Sequence, residues 1–143
     1  PAEKDATDTE LAVIAALEAG AREIGIVASW GGRPDHALGT LSLLAHPRLL
    51  AAGVGAVLLD AASRIRLVRA GHRCTLNVPV GTTISLLPWG HDAVVTATGV
   101  RWPLHRETLA AGTSRGISNV ATATSVDIDV ERGMLLVGDG DGR

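Results

Sequence analysis

Phenylalanine and tyrosine are absent from this 143-residue chain, and three tryptophans are its whole aromatic content. A core without those rings has to be packed with leucine, isoleucine, valine and alanine, so each tryptophan is worth locating. The single cysteine, Cys74, excludes an intramolecular disulfide and a thiolate metal cage and agrees with a reducing compartment. No uncharged apolar run approaches the roughly 20 residues of a membrane span, and Pro1 to Glu10 is too polar for a signal peptide. A soluble, cytoplasmic protein with no membrane partner is expected. Basic runs are missing too: Lys plus Arg is 13 against 15 for Asp plus Glu, a formal net charge of −2, which argues against a nucleic-acid partner. Neither a Walker A phosphate loop nor a G-x-G-x-x-G fingerprint is present, so the familiar nucleotide folds are not indicated.

What the chain has is 46% hydrophobic residues, enough to exclude intrinsic disorder and to build a core without staples. Thr7-Asp8-Thr9-Glu10 has the form of a reciprocal helix cap, followed by Leu11, Ile14, Ala15 and Glu18 at helical spacing and by Gly20 as a stop. Glu23 to Ser29 reads as a buried parallel strand. A turn cluster from Ser29 to Pro34 leads into a second helix carrying Leu38, Leu41, Leu44 and Ala45 until Pro47 interrupts it, and Gly55 to Asp60 is another strand. Beyond a boundary near Ala62 the chain changes to short strands at 64–69, 73–78, 83–87, 93–98, 125–131 and 134–137, with Gly71 and Gly133 as hairpin turns. The fold class is therefore α/β followed by all-β: residues 1–62 as part of a parallel α/β domain and 63–143 as an antiparallel β-sandwich. No internal repeat is visible, and Gly138 to Arg143 reads as a frayed tail.

Three clusters carry possible chemistry. Glu3, Lys4, Asp5, Thr7 and Asp8 gather acids and an amine before a helix N-terminus, a setting that suits a magnesium-bound phosphate or simply answers the helix dipole. Gly31-Gly32-Arg33-Pro34-Asp35-His36 follows a strand and precedes a helix, where open parallel sheets place ligands. There Arg33 offers a fork to phosphate oxygens and Asp35 a carboxylate for a hard cation or a proton; equally, Pro34 and Asp35 suit an ordinary helix start. Trp102, in Gly99-Val100-Arg101-Trp102-Pro103-Leu104, is either a stacking ring or a core plug. Gly112 to Asn119 supplies either hydrogen-bonding groups or a surface loop. His72, His91 and His105 lack metal-ligand spacing, and Cys74 reads as a small hydrophobe.

In order along the chain, Lys4-Asp5-x-Thr7-Asp8-x-Glu10, Gly31-Gly32-Arg33-x-Asp35-His36, Gly99-x-x-Trp102-Pro103-Leu104 and Gly116-x-Ser118-Asn119 resemble the thiamine pyrophosphokinase family. The resemblance implies transfer of diphosphate from ATP to the hydroxyethyl oxygen of thiamine, with Mg2+ and release of AMP. It implies ATP-binding roles for Lys4, Asp5, Thr7, Asp8, Gly31, Gly32 and Arg33, with Asp5 and Asp8 near the metal. Asp35 and Arg33 become the catalytic pair, and Asp35, Trp102, Ser118 and Asn119 the thiamine contacts. A homodimer with the thiamine site at its interface is also implied. The family carries further strands and acids upstream of the segment beginning at Pro1, so the chain is expected to be the larger part of a longer enzyme. A non-catalytic thiamine- or nucleotide-binding module, or a structural dimerisation sandwich, is the alternative.

Overall fold

Thr7 starts the first helix as its spacing predicts: its Oγ1 accepts a hydrogen bond from the Glu10 backbone N–H at 3.2 Å, and α1 runs Asp8–Glu18. The computed structural model describes residues 5–27 and 33–141 of the chain, so the expectations placed on Glu3, Lys4, Ser29, Trp30, Gly31 and Gly32 lie outside it. The described residues form two compact units that divide between Ala61 and Ala62.

In the first unit, α1 leads through Gly20, whose φ of 86° reverses the chain, into β1 (Glu23–Val27). The Leu11–Glu18 face predicted for α1 is not the one it buries: Leu11 is 44% exposed and Val13 is the buried residue. An alanine-rich helix has no strongly preferred face, so packing against β1 chose it. Glu10 contributes only half of the predicted reciprocal cap, because its carboxylate lies 3.5 Å from His46 Nε2. His46 Nδ1 accepts from the Arg48 N–H, so the proton sits on Nε2 and points at Glu10.

α2 (Pro34–Ser42) passes into a 3-10 turn (Leu43–Ala45), and α3 follows at Pro47–Ala52. Pro47 was expected only to end a helix; it occupies the first turn of the next one, where its missing N–H and fixed φ are harmless. β2 (Gly55–Leu59) then pairs in parallel with β1, Glu23 opposite Gly55 and Val27 opposite Leu59. β1 alternates in burial, with Ile24 and Ile26 covered and Val27 86% exposed. The predicted fully buried strand is thus covered on one face among the described residues.

The second unit is a sandwich, each of its two layers made of four strands of this unit. One has the order β3 (Ser63–Arg69), β10 (Met134–Gly140), β5 (Thr83–Pro88) and β8 (Asn119–Val120). The other has the order β4 (His72–Asn77), β9 (Ser125–Arg132), β6 (Ala93–Thr98) and β7 (Leu104–Leu109). All these pairings are antiparallel. Their inner faces meet in one aliphatic core that includes Ile84, Leu86, Val95, Val126, Ile128, Leu135 and Val137. Ala93 and Ala97 alternate with Val95 along β6, so small and large side chains interdigitate where no aromatic ring is available.

Two strands lie outside the segments expected from the sequence, and two expectations are corrected. β7 and β8 do not stand out in the sequence, because His105, Arg106 and Glu107 break alternation and β8 is only two residues long. Gly71 and Gly133, with φ of 80° and 82°, do turn the chain, but not as hairpins: β3 pairs with β10 and β4 with β9, so each glycine carries the chain from one sheet to the other. Gly138 to Gly140 is no frayed tail. It is the end of β10, held between β3 and β5, with Asp139 5% exposed and its carboxylate 2.8 Å from Arg66.

Candidate functional site

In the first unit the chemistry gathers where α2 begins. Pro34 fixes the first helical turn, and Arg33 at the N-cap reaches Asp35 two residues on with both prongs, Nε to Oδ1 at 3.2 Å and Nη2 to Oδ2 at 2.5 Å. Both side chains are largely exposed. The guanidinium, with a smaller contribution from the neighbouring His36, holds the Asp35 carboxyl below its usual range, so it is ionised at neutral pH. Asp5 and Asp8 are exposed at and just before the start of α1, where a negative charge is favoured. Among the described residues no three His, Cys, Asp or Glu side chains form a metal-binding group. Two carboxylates nonetheless suit magnesium, which typically takes one or two protein carboxylates and completes its shell with water and substrate phosphates.

In the second unit, a cavity of about 190 Å³ is lined by Trp102, Leu104, Arg115, Gly116, Ile117 and Asn119. It lies where the β6–β7 connection meets the segment entering β8. The backbone stitches these together, with Arg101 N–H donating to Val120 O and Thr122 N–H to Gly99 O, both at 2.8 Å. Trp102 is 50% exposed, so it is not the core plug weighed above. The Arg101 guanidinium sits over the ring, 5.6 Å from its centroid.

Asn119 is 6% exposed. Its Oδ1 accepts from the N–H groups of Trp102 at 3.1 Å and Val120 at 2.9 Å, while its Nδ2 donates to Trp102 O at 2.7 Å. Those partners settle which end of the amide is oxygen and leave one N–H to spare. Ser118 is exposed with a left-handed φ of 61°, and its N–H donates to Ser85 Oγ at 3.2 Å. Of the predicted residues, then, the structure brings Trp102 and Asn119 to one cavity and Arg33 and Asp35 to one ion pair.

Arg115, Ile117 and Leu104 were given no site role from the sequence. Arg115 is steadied by Glu107, which accepts from its Nε at 2.9 Å. Its place in the Gly112–Asn119 run was a usable signal, but the partner that orients it lies on β7, a strand the periodicity concealed.

Comparison with known proteins agrees with both halves. The family model described as "Thiamin pyrophosphokinase, catalytic domain" matches residues 1–54, and "Thiamin pyrophosphokinase, vitamin B1 binding domain" matches residues 72–135. A thiamine pyrophosphokinase of Bacillus subtilis (strain 168) is 30% identical over 137 residues, which is 95% of this chain and 63% of the relative. This chain therefore spans a little under two thirds of that relative's length. The crystal structure of thiamine pyrophosphokinase from Bacillus subtilis matches 99% of this chain and 66% of its own with a TM-score of 0.89 at 27% identity. A thiamin pyrophosphokinase family protein from Enterococcus faecalis matches 100% of this chain and 67% of its own with a TM-score of 0.87 at 26% identity. With matches to both of the family's domains and a shared fold across the sandwich and the α/β part, this chain belongs to the thiamin pyrophosphokinase family.

Proposed function

We propose that this chain carries the thiamine-binding and phosphate-side residues of a thiamine pyrophosphokinase, which moves diphosphate from ATP to the hydroxyethyl oxygen of thiamine and releases AMP. The observation that carries the reading is Trp102: a half-exposed ring at a cavity lined by arginine, asparagine and apolar side chains, inside the region matching the vitamin B1 binding domain. Thiamine is a flat, cationic molecule, and an indole face suits such a ligand. Leu104 and Ile117 supply apolar contact beside it.

On the phosphate side, Arg33 is a planar fork matched to phosphate oxygens, and Asp35 is a carboxylate kept ionised by that fork. A carboxylate with a lowered pKa is a weak base. It suits a reaction in which the acceptor hydroxyl needs orienting more than early deprotonation, as in phosphoryl transfer through a loose transition state. Asp35 accordingly accepts a hydrogen bond from the thiamine hydroxyl and takes its proton late. Arg33 exchanges part of its grip on Asp35 for the transferred phosphate. Asp5 and Asp8 would hold Mg2+, which neutralises charge on the triphosphate when bound; Lys4, Thr7, Gly31 and Gly32 complete the ATP-binding set. The enzyme works as a homodimer with the thiamine site at the subunit interface. A cytoplasmic location belongs to the same proposal. Among the described residues no helix is long and apolar enough to cross a membrane.

Calorimetry with thiamine, followed by mass spectrometry of a mixture with ATP and Mg2+, tests the proposal. Thiamine binding and the paired appearance of thiamine diphosphate and AMP are expected. Absence of thiamine binding sinks the assignment; binding without products favours the non-catalytic module.

A further inference from the structure

Trp102 presents a paradox of anchoring. A ring that is to define a stacking plane must be held still, yet half of this residue faces solvent and the cation over its ring is the exposed Arg101 side chain. The holding is done from the backbone. Both polar main-chain atoms of Trp102 end on one side chain: its N–H donates to Asn119 Oδ1 at 3.1 Å and its carbonyl accepts from Asn119 Nδ2 at 2.7 Å. Oδ1 takes the Val120 N–H as well, which locks the amide plane. Asn119 itself is buried and sits in β8 opposite Ile84 of β5, a fully buried core residue, so the clamp is fastened to the rigid part of the sandwich.

We propose that Asn119 is a positioning residue for thiamine, acting through Trp102: its carboxamide sets the backbone, and hence the ring plane, against which the ligand stacks. This rests on the function proposed above and replaces a direct contact between Asn119 and the pyrimidine as the main source of its effect. The chemistry demands asparagine. A donor and an acceptor must lie side by side in one planar group at this reach; aspartate offers no donor to the Trp102 carbonyl and sets two oxygens against one another, and leucine offers neither. Trp102 N–H and C=O are also consecutive polar groups that a turn leaves without ladder partners, so removing the clamp orphans both.

A double-mutant cycle decides the matter. Thiamine affinity is measured by calorimetry for the wild type, Asn119→Ala, Trp102→Ala and the double variant, with KM for thiamine and for ATP and kcat in parallel. Asn119→Ala should weaken thiamine about tenfold, the loss of a hydrogen-bonded clamp, while ATP affinity and kcat change less than about twofold. In the Trp102→Ala background the Asn119 change should add nothing, because the element it positions is gone. Independent, multiplicative losses would show that Asn119 touches the ligand itself and would overturn the proposal, as would a loss confined to kcat.

If Asn119→Ala does not fold, Asn119→Asp, of equal volume, takes its place in the cycle with the same expectations. Fluorotryptophan labelling gives a readout that needs no ligand. With the three indole resonances assigned by single Trp→Phe changes, the Asn119 variant should shift or broaden the Trp102 signal and leave those of Trp30 and Trp89 in place. An unmoved Trp102 signal overturns the inference. Failure of the wild type to bind thiamine refutes the functional reading instead, while the fluorine spectrum still judges the clamp.

Discussion

A Cβ on Gly116 would fall inside the van der Waals shell of the Leu86 carbonyl oxygen. Leu86 also donates its N–H to Gly116 O at 2.9 Å, so the loop that lines the cavity lies flat on β5 with no space between them. The backbone at Gly116 is not left-handed; glycine is required there for room alone.

Gly116→Ala should therefore destabilise the second unit by about 1 to 3 kcal/mol, the usual range for overpacking a site that cannot give way. The shift in denaturation midpoint measures it. Since the loop must lift to admit the methyl group, KM for thiamine should rise as well. A variant as stable as the wild type would mean that β5 and the loop separate easily.

Trp102→Ala should weaken thiamine by about 1 to 3 kcal/mol, the range for removing a stacking aromatic. It should leave ATP affinity and the unfolding midpoint almost unchanged, because half the residue already faces water. Calorimetry with each ligand separates the cases: equal losses for both, or a collapsed melting temperature, would make Trp102 a structural residue.

Asp35→Asn should lower kcat on the order of 100-fold or more, by comparison with the usual worth of a carboxylate at a reacting centre. Circular dichroism and thermal unfolding should stay as in the wild type, since the side chain is largely exposed. Turnover within a few fold of the wild type would remove Asp35 from the reaction.

The Arg33–Asp35 pair also has a pH signature. Arg33 lowers the Asp35 pKa, so the pair favours the folded, charged arrangement above the ordinary carboxylate pKa of about 4 and loses that preference as the pH falls through the lower, folded value. Carbon-13 NMR of the carboxyl should place its midpoint below the ordinary range, and Arg33→Gln should move it upward. An unchanged midpoint would show that the two side chains are apart in solution.

Asp139 holds the end of β10 through Arg66, with Arg64 at 3.6 Å on its other oxygen. Asp139→Ala leaves Arg66 without its carboxylate partner in a setting where Nε is already buried and unbonded. The loss should be about 3 kcal/mol, the lower end for breaking a buried pair because Arg66 keeps some access to water. Chemical denaturation checks it, and a change below about 0.5 kcal/mol would return the segment from 138 onward to the status of a tail.

The sequence by itself determined those features that arise between near neighbours. Thr7 caps the Glu10 N–H three residues away, Gly20 reverses the chain after α1, and alternating apolar residues mark β5, β6 and β9. The four motifs likewise specify the family, because their residue types and order survive without knowledge of the fold.

Tertiary structure decided everything that depends on partners distant in the chain. The face α1 buries, the passage of the chain between sheets at Gly71 and Gly133, and the burial of Asp139 all follow from which strands meet. Asn119 is the sharpest case. Its motif marks it as a ligand contact, yet 17 residues separate it from the Trp102 backbone that occupies its amide. A side-chain amide pairs with whatever polar group the fold brings within 3 Å, and sequence spacing carries no information about which group that is.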